Sequence, residues 1–171
     1  PQAVSILKQV LEDLKQEPMV RHEAAEALGA IASTGTTEIL EKYKTDPVVE
    51  VAETCQLALE RIKWLNGQES AKLEVRSPYN SVDPAPPTST DNVNELKDVL
   101  LDETATLFDR YRAMFSLRNL RSPEAVSALG TALKYGSALF RHEIAFVLGQ
   151  LQHEGGVPFL KESLEDCTEN E

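Results

Sequence analysis

The chain has 171 residues, of which 42% are hydrophobic and 26% charged, enough for a real core in one domain or two small ones. Twenty-eight acidic against seventeen basic residues leave a formal charge of −11, which repels nucleic acid and favours a basic partner. With no run of eighteen apolar residues and no basic-plus-apolar leader, neither a membrane span nor a signal peptide is expected. Cys55 and Cys167 lie far apart with no CxxC spacing, which speaks for reduced thiols in the cytoplasm rather than a disulfide framework or a zinc ribbon.

In chain order, Val4, Ile6, Leu7, Val10, Leu11 and Leu14 follow the i, i+3, i+4, i+7 spacing of an amphipathic helix over residues 2–15. Pro18 breaks it and suits the first turn of a second helix, which runs to about Ala32 and stops near Ser33-Thr34-Gly35. A short third helix spans Thr36 to Tyr43, and Pro47 opens a fourth that ends near Trp64. Short turns between helices of this length imply antiparallel neighbours, so residues 1–65 read as two helical hairpins.

Residues 66–91 differ in composition. Pro78, Pro84, Pro86 and Pro87, among Ser, Thr, Gly and Asn, exclude a continuous helix and suggest an extended linker. Helix resumes over Val93 to Leu101, about Thr104 to Leu120, Pro123 to Lys134, Ser137 (a suitable N-cap) to Gln152, and Val157 to Glu165. No useful strand alternation appears, and the expected fold is all-α, with a second helical block over 92–171.

One phrase is written twice. Val20-Arg21-His22-Glu23-Ala24-Ala25-Glu26-Ala27-Leu28-Gly29 returns as Phe140-Arg141-His142-Glu143-Ile144-Ala145-Phe146-Val147-Leu148-Gly149, 120 positions on. A second offset, of 153, relates Val4, Leu7, Lys8, Leu11, Glu12 and Asp13 to Val157, Leu160, Lys161, Leu164, Glu165 and Asp166. It places the counterpart of His22 four positions beyond Glu171, as though the chain began and ended inside a longer array. Hairpins stacked at periods near thirty residues form an α-solenoid, each burying its apolar face against its neighbours.

The repeated His-Glu pairs, His22-Glu23 and His142-Glu143, look like metal ligands, and the helices like the frame that brings the two pairs together. At about 100° per residue, Val20, Ala24, Ala27, Leu28 and Ile31 share a stripe, as do Phe140, Ile144, Val147, Leu148 and Leu151. With that stripe as the core face, each histidine projects on the opposite side, beside Ala25 and Gly29 or Ala145 and Gly149. A glycine within a helix costs about 1 kcal/mol relative to alanine, and its recurrence here suggests space left for an ion and a substrate. The early turns of a helix also favour a charged carboxylate and a neutral imidazole, the forms that bind metal. Mixed nitrogen and oxygen donors suit iron or manganese. By contrast, His153-Glu154 falls at a helix end before Gly155-Gly156 and reads as a turn pair.

Arg21-His22-Glu23 with Glu26-Ala27-Leu28-Gly29, the linker's Tyr79-Asn80-Ser81-Val82-Asp83-Pro84-Ala85-Pro86-Pro87, and Tyr111-Arg112-Ala113-Met114-Phe115 closely resemble the deoxyhypusine hydroxylases over nearly the whole chain. The resemblance implies a HEAT-like α-solenoid in two halves, with residues 1–65 ending one and 92–171 beginning the other. It implies two irons held by four His-Glu motifs, and dioxygen-dependent hydroxylation of the deoxyhypusine side chain on the hypusine-bearing eukaryotic translation initiation factor. It makes His22, His142 and Glu143 iron ligands and Glu23 either a ligand or the carboxylate that holds the substrate's amines. A basic, polyamine-like substrate also accounts for the acidic balance. With two of four motifs in these 171 residues, they are expected by themselves to hold iron weakly and not to turn over, and the ends of the array to self-associate. A non-catalytic HEAT scaffold that binds a protein on its concave face, and a bilin lyase, are the rival readings. The first predicts no metal; the second requires a pigment partner and gives no reason for doubled His-Glu pairs.

Overall fold

Hydroxyl, amide and proline side chains set most helix starts. In a computed structural model, which describes residues 2–33, 35–67, 78, 79 and 81–169, the helices are α1 (Gln2–Glu12), α2 (Pro18–Ile31), α3 (Thr37–Tyr43), α4 (Val49–Leu65), α5 (Val93–Leu101), α6 (Leu107–Leu120), α7 (Pro123–Ala132), α8 (Ala138–Leu151) and α9 (Val157–Glu165). Pro18 and Pro123 stand at the starts of α2 and α7, where a missing N–H costs nothing. The side chains of Asn92, Thr106, Ser122 and Ser137 accept from otherwise unpaired N–H groups at the starts of α5, α6, α7 and α8. Ser137 therefore caps the helix that the sequence assigned to it. No strand occurs among the described residues, and no described helix is long and apolar enough to cross a membrane.

α1 is shorter than expected. Its helix ends at Glu12 because the Asp13 carboxylate takes the backbone N–H of Lys15 and the side-chain amide of Gln16, closing a turn that leaves Leu14 exposed. α6 likewise starts at Leu107 rather than near Thr104, once Thr106 acts as its cap. α2, α6 and α8 each run into one residue with left-handed backbone, Ala32 (φ 51°), Arg121 (φ 54°) and Gln152 (φ 49°). That conformation ends the helix and lets the chain turn back.

The chain divides into two compact units, Pro1–Val75 with Val82–Ala85, and Arg76–Ser81 with Pro86–Glu171. In the first, α2 packs between α1 and α4, and α3 closes on α4, around Leu11, Leu28, Leu40, Val51, Cys55 and Ile62. In the second, α5, α6, α7 and α8 pack in succession, with Tyr111 edge-on to Phe115 (6.2 Å) and Phe140 (5.8 Å) between ring centroids. One device recurs: Arg21 Nε donates to Leu11 O and Arg110 Nε to Leu100 O, both at 3.0 Å. Each arginine thereby satisfies a carbonyl near the end of the preceding helix.

Of the proline-rich stretch, residues 68–77 and 80 lie outside the described residues, as do Pro1, Thr34 and residues 170–171. Its described part is non-helical and packs on the units. Ala85 is fully buried and Asp83 O accepts from Arg61 Nε in the first unit. In the second, Pro86 O and Pro87 O accept from Arg112, and Thr88 N donates to Ser116 Oγ.

Candidate metal centre

His22 does not project from the free side of α2. It is only 4% exposed, whereas Val20 and Ile31, assigned by periodicity to the core stripe, are 43% and 46% exposed. The correction has a simple cause: α2 is flanked by α1 and α4, so two of its faces are covered rather than one. Ala25 and Gly29, read as space beside a ligand, are both buried, and Gly29 lies against α4. A Cβ built at Gly29 would lie 2.6 Å from the Ala58 Cβ, so the glycine is what allows the two helices to approach.

That approach places the His22 ring against α4. Nδ1 lies 2.6 Å from Thr54 Oγ1, and the Thr54 hydroxyl donates to Glu50 O at 2.7 Å. The other ring nitrogen, Nε2, faces two carboxylates of its own helix: Glu23 Oε1 at 4.0 Å and Glu26 Oε2 at 3.9 Å. Glu23 is 70% exposed and Glu26 34% on the side chain. Burial raises the pKa of Glu26, and the negative charges of Glu23 and Asp83 raise it further. A cation at this point would relieve that excess of negative charge.

Neighbouring groups hold the frame. Arg21, also buried, donates from Nη1 and Nη2 to the two oxygens of Asp46 at 3.3 and 2.6 Å. Arg61 reaches across from α4 to the end of α2, giving a hydrogen bond of 2.9 Å from Nη1 to Gly29 O while its Nε holds Asp83 O.

The second copy has a different setting. Phe140, Ile144, Val147 and Leu148 are buried as the periodicity required, and His142 is exposed with Glu143 half-buried. Arg141 pairs with Glu169 and donates to Gly136 O at 2.7 Å. A Cβ at Gly149 would meet nothing within 4 Å, unlike its counterpart Gly29. Where the first copy has Glu26, the second has an exposed Phe146. His153 serves as the cap of a turn, its Nδ1 accepting from Gly155 N at 3.0 Å, in keeping with the reading of His153-Glu154 as a turn pair.

Among the described residues no group of three or more His, Cys, Asp or Glu side chains is placed to hold a metal ion. The donors around His22 nevertheless suit a metal as part of its ligand shell. With bonds of about 2.1 Å, neighbouring ligands of one ion stand about 3.0–3.4 Å apart, so Nε2 and a facing carboxylate oxygen, at 3.9 and 4.0 Å, would share an ion after a side-chain movement of about half an ångström. Glu26 was not among the residues singled out from the sequence, although it lies four residues after His22 and so on the same face. Thr54 was missed too, because it comes from the neighbouring hairpin.

The PBS lyase HEAT-like repeat matches residues 20–46, 109–135 and 140–166, the first and third being the two His-Glu segments. The deoxyhypusine hydroxylase of Drosophila melanogaster is 61% identical over 171 residues, covering 99% of this chain and 56% of its own length. The Homo sapiens enzyme of the same name is 56% identical over 168 residues, with 98% and 55% covered. The solved structure of human deoxyhypusine hydroxylase in complex with glycerol superimposes with a TM-score of 0.93 at 56% identity, over 99% of this chain and 58% of that one. The chain thus spans about half the length of the curated relatives it matches. Repeats, all-helical HEAT-like fold and extended identity agree, and the chain belongs to the deoxyhypusine hydroxylase family.

Proposed function

We propose that this chain supplies iron-binding motifs to a cytoplasmic deoxyhypusine hydroxylase. The complete protein would hydroxylate the deoxyhypusine side chain of a basic translation initiation factor with dioxygen and two bound irons. The observation that carries the reading is the aim of His22: its Nε2 faces the carboxylates of Glu23 and Glu26 at 4.0 and 3.9 Å. Identity of 56–61% to enzymes of that name supports the choice of reaction.

His22 with Glu23, and His142 with Glu143, would hold iron. Iron, when bound, supplies the activation of dioxygen. The protein's own residues do the rest. Burial of His22 against α4 fixes the direction of its ring, and the acidic surroundings attract a cationic side chain. Glu23, the more exposed of the two carboxylates facing His22, would serve either as an iron ligand or as the carboxylate that receives an ammonium group of the substrate.

The test uses a chain extended to the full length of its relatives, loaded with ferrous iron and given dioxygen and a deoxyhypusine-bearing protein. Mass spectrometry should show the gain of one oxygen atom, lost in both His22→Ala and His142→Ala. Undiminished hydroxylation in both variants would contradict the assignment.

A further inference from the structure

The contact between His22 and Thr54 has one arrangement of hydrogens that satisfies every group. Thr54 Oγ1 is 2.7 Å from Glu50 O and 2.6 Å from His22 Nδ1. A carbonyl oxygen can only accept, so the hydrogen between Oγ1 and Glu50 O must be the hydroxyl's own. A threonine has one hydroxyl hydrogen. Oγ1 must therefore accept toward the ring, and the hydrogen in that second contact must sit on Nδ1. The opposite arrangement would set two oxygen lone pairs against each other at 2.7 Å.

We infer that Thr54 is a positioning residue for metal binding: it fixes His22 as the Nδ1–H tautomer and so turns the Nε2 lone pair toward Glu23 and Glu26. This rests on the reading of His22 as a ligand. A neutral imidazole has one ring N–H, and a hydrogen bond at one nitrogen decides which nitrogen coordinates. The ring is buried and Thr54 is buried with it, so water is a poor substitute for the hydroxyl. The chain of support runs from helix packing to chemistry. Gly29 lets α4 approach, the approach brings Thr54 to the ring, and Glu50 O orients the threonine.

Two variants separate the hydroxyl from the shape of the side chain. Thr54→Val keeps the volume and removes the oxygen; Thr54→Ser keeps the oxygen. In ¹⁵N-histidine spectra at about pH 8, where an ordinary histidine is neutral, the parent chain should show Nδ1 protonated and Nε2 unprotonated at His22. Thr54→Ser should preserve that pattern, and Thr54→Val should shift it toward the Nε2–H form. Zn²⁺, as a diamagnetic probe, should bind the Thr54→Val chain about 10-fold or more weakly than the parent, with Thr54→Ser near the parent.

An Nε2–H tautomer in the parent chain would overturn the inference. So would equal Zn²⁺ affinity of Thr54→Val and parent at a site that His22→Ala abolishes. If His22→Ala binds Zn²⁺ as well as the parent does, the ligand reading itself fails, whatever the tautomer.

Discussion

Gly29 and Ala58 mark a close approach of α2 and α4: a Cβ at Gly29 would sit 2.6 Å from the Ala58 Cβ and 3.0 Å from its Cα. The same glycine of the repeated phrase, Gly149, faces open space. The same Leu-Gly pair of the repeated phrase thus performs different work in the two copies. Gly29→Ala should destabilise the chain by about 1–3 kcal/mol through overpacking. Gly149→Ala should instead stabilise it by up to about 1 kcal/mol through helix propensity. Denaturant midpoints of the two variants should move in opposite directions; movement in the same direction would contradict the packing described for α2.

Arg21 and Asp46 form a buried pair that ties α2 to the loop before α4. Burial pushes the Asp46 carboxyl upward, but hydrogen bonds from Arg21 and the Val48 amide, with the Arg21 charge, outweigh it and hold the carboxyl below its ordinary 3.8. Removing the carboxylate by Asp46→Ala leaves a buried cation and should cost about 3–5 kcal/mol. The sign of the pH effect follows from the lowered value. The stabilisation is complete above the unfolded pKa and is lost as pH falls through the folded one. Acid titration of stability should therefore be flatter below about pH 4 in Asp46→Asn than in the parent; parallel curves would remove Asp46 from the account.

The two cysteines should differ sharply toward a thiol reagent. Cys55 is fully buried in α4, and burial, followed by the nearby Asp46 charge and opposed by Arg21, pushes its thiol up to about 12. Cys167 is exposed beyond α9. Since the thiolate is the reactive form, native protein should give one fast equivalent at Cys167, with Cys55 reacting only on unfolding. Two fast equivalents would show that α4 does not pack as described.

The helices were legible because each carries its own signal: apolar spacing, Pro18 and Pro123 at first turns, Ser137 as a cap. What surrounds a helix was not. A single apolar stripe places His22 in solvent, yet an interior helix of an array has a second covered face, and its mark is Ala25 with Gly29 rather than large apolar residues. Looking for what the two copies share also hid Glu26, since its counterpart is Phe146. Thr54 could not be found from the repeated phrase at all, because the contact depends on how one hairpin lies on the next.

The central claim is that His22 offers Nε2 to iron. It is tested most directly by adding ferrous ion, without oxygen, to the ¹⁵N-histidine-labelled chain and following each imidazole. Paramagnetic broadening should appear at His22 and His142, leave the turn-capping His153 sharp, and disappear from the first unit in Glu23→Ala/Glu26→Ala. Broadening confined to His153, or a His22 signal untouched by excess iron, would contradict the account.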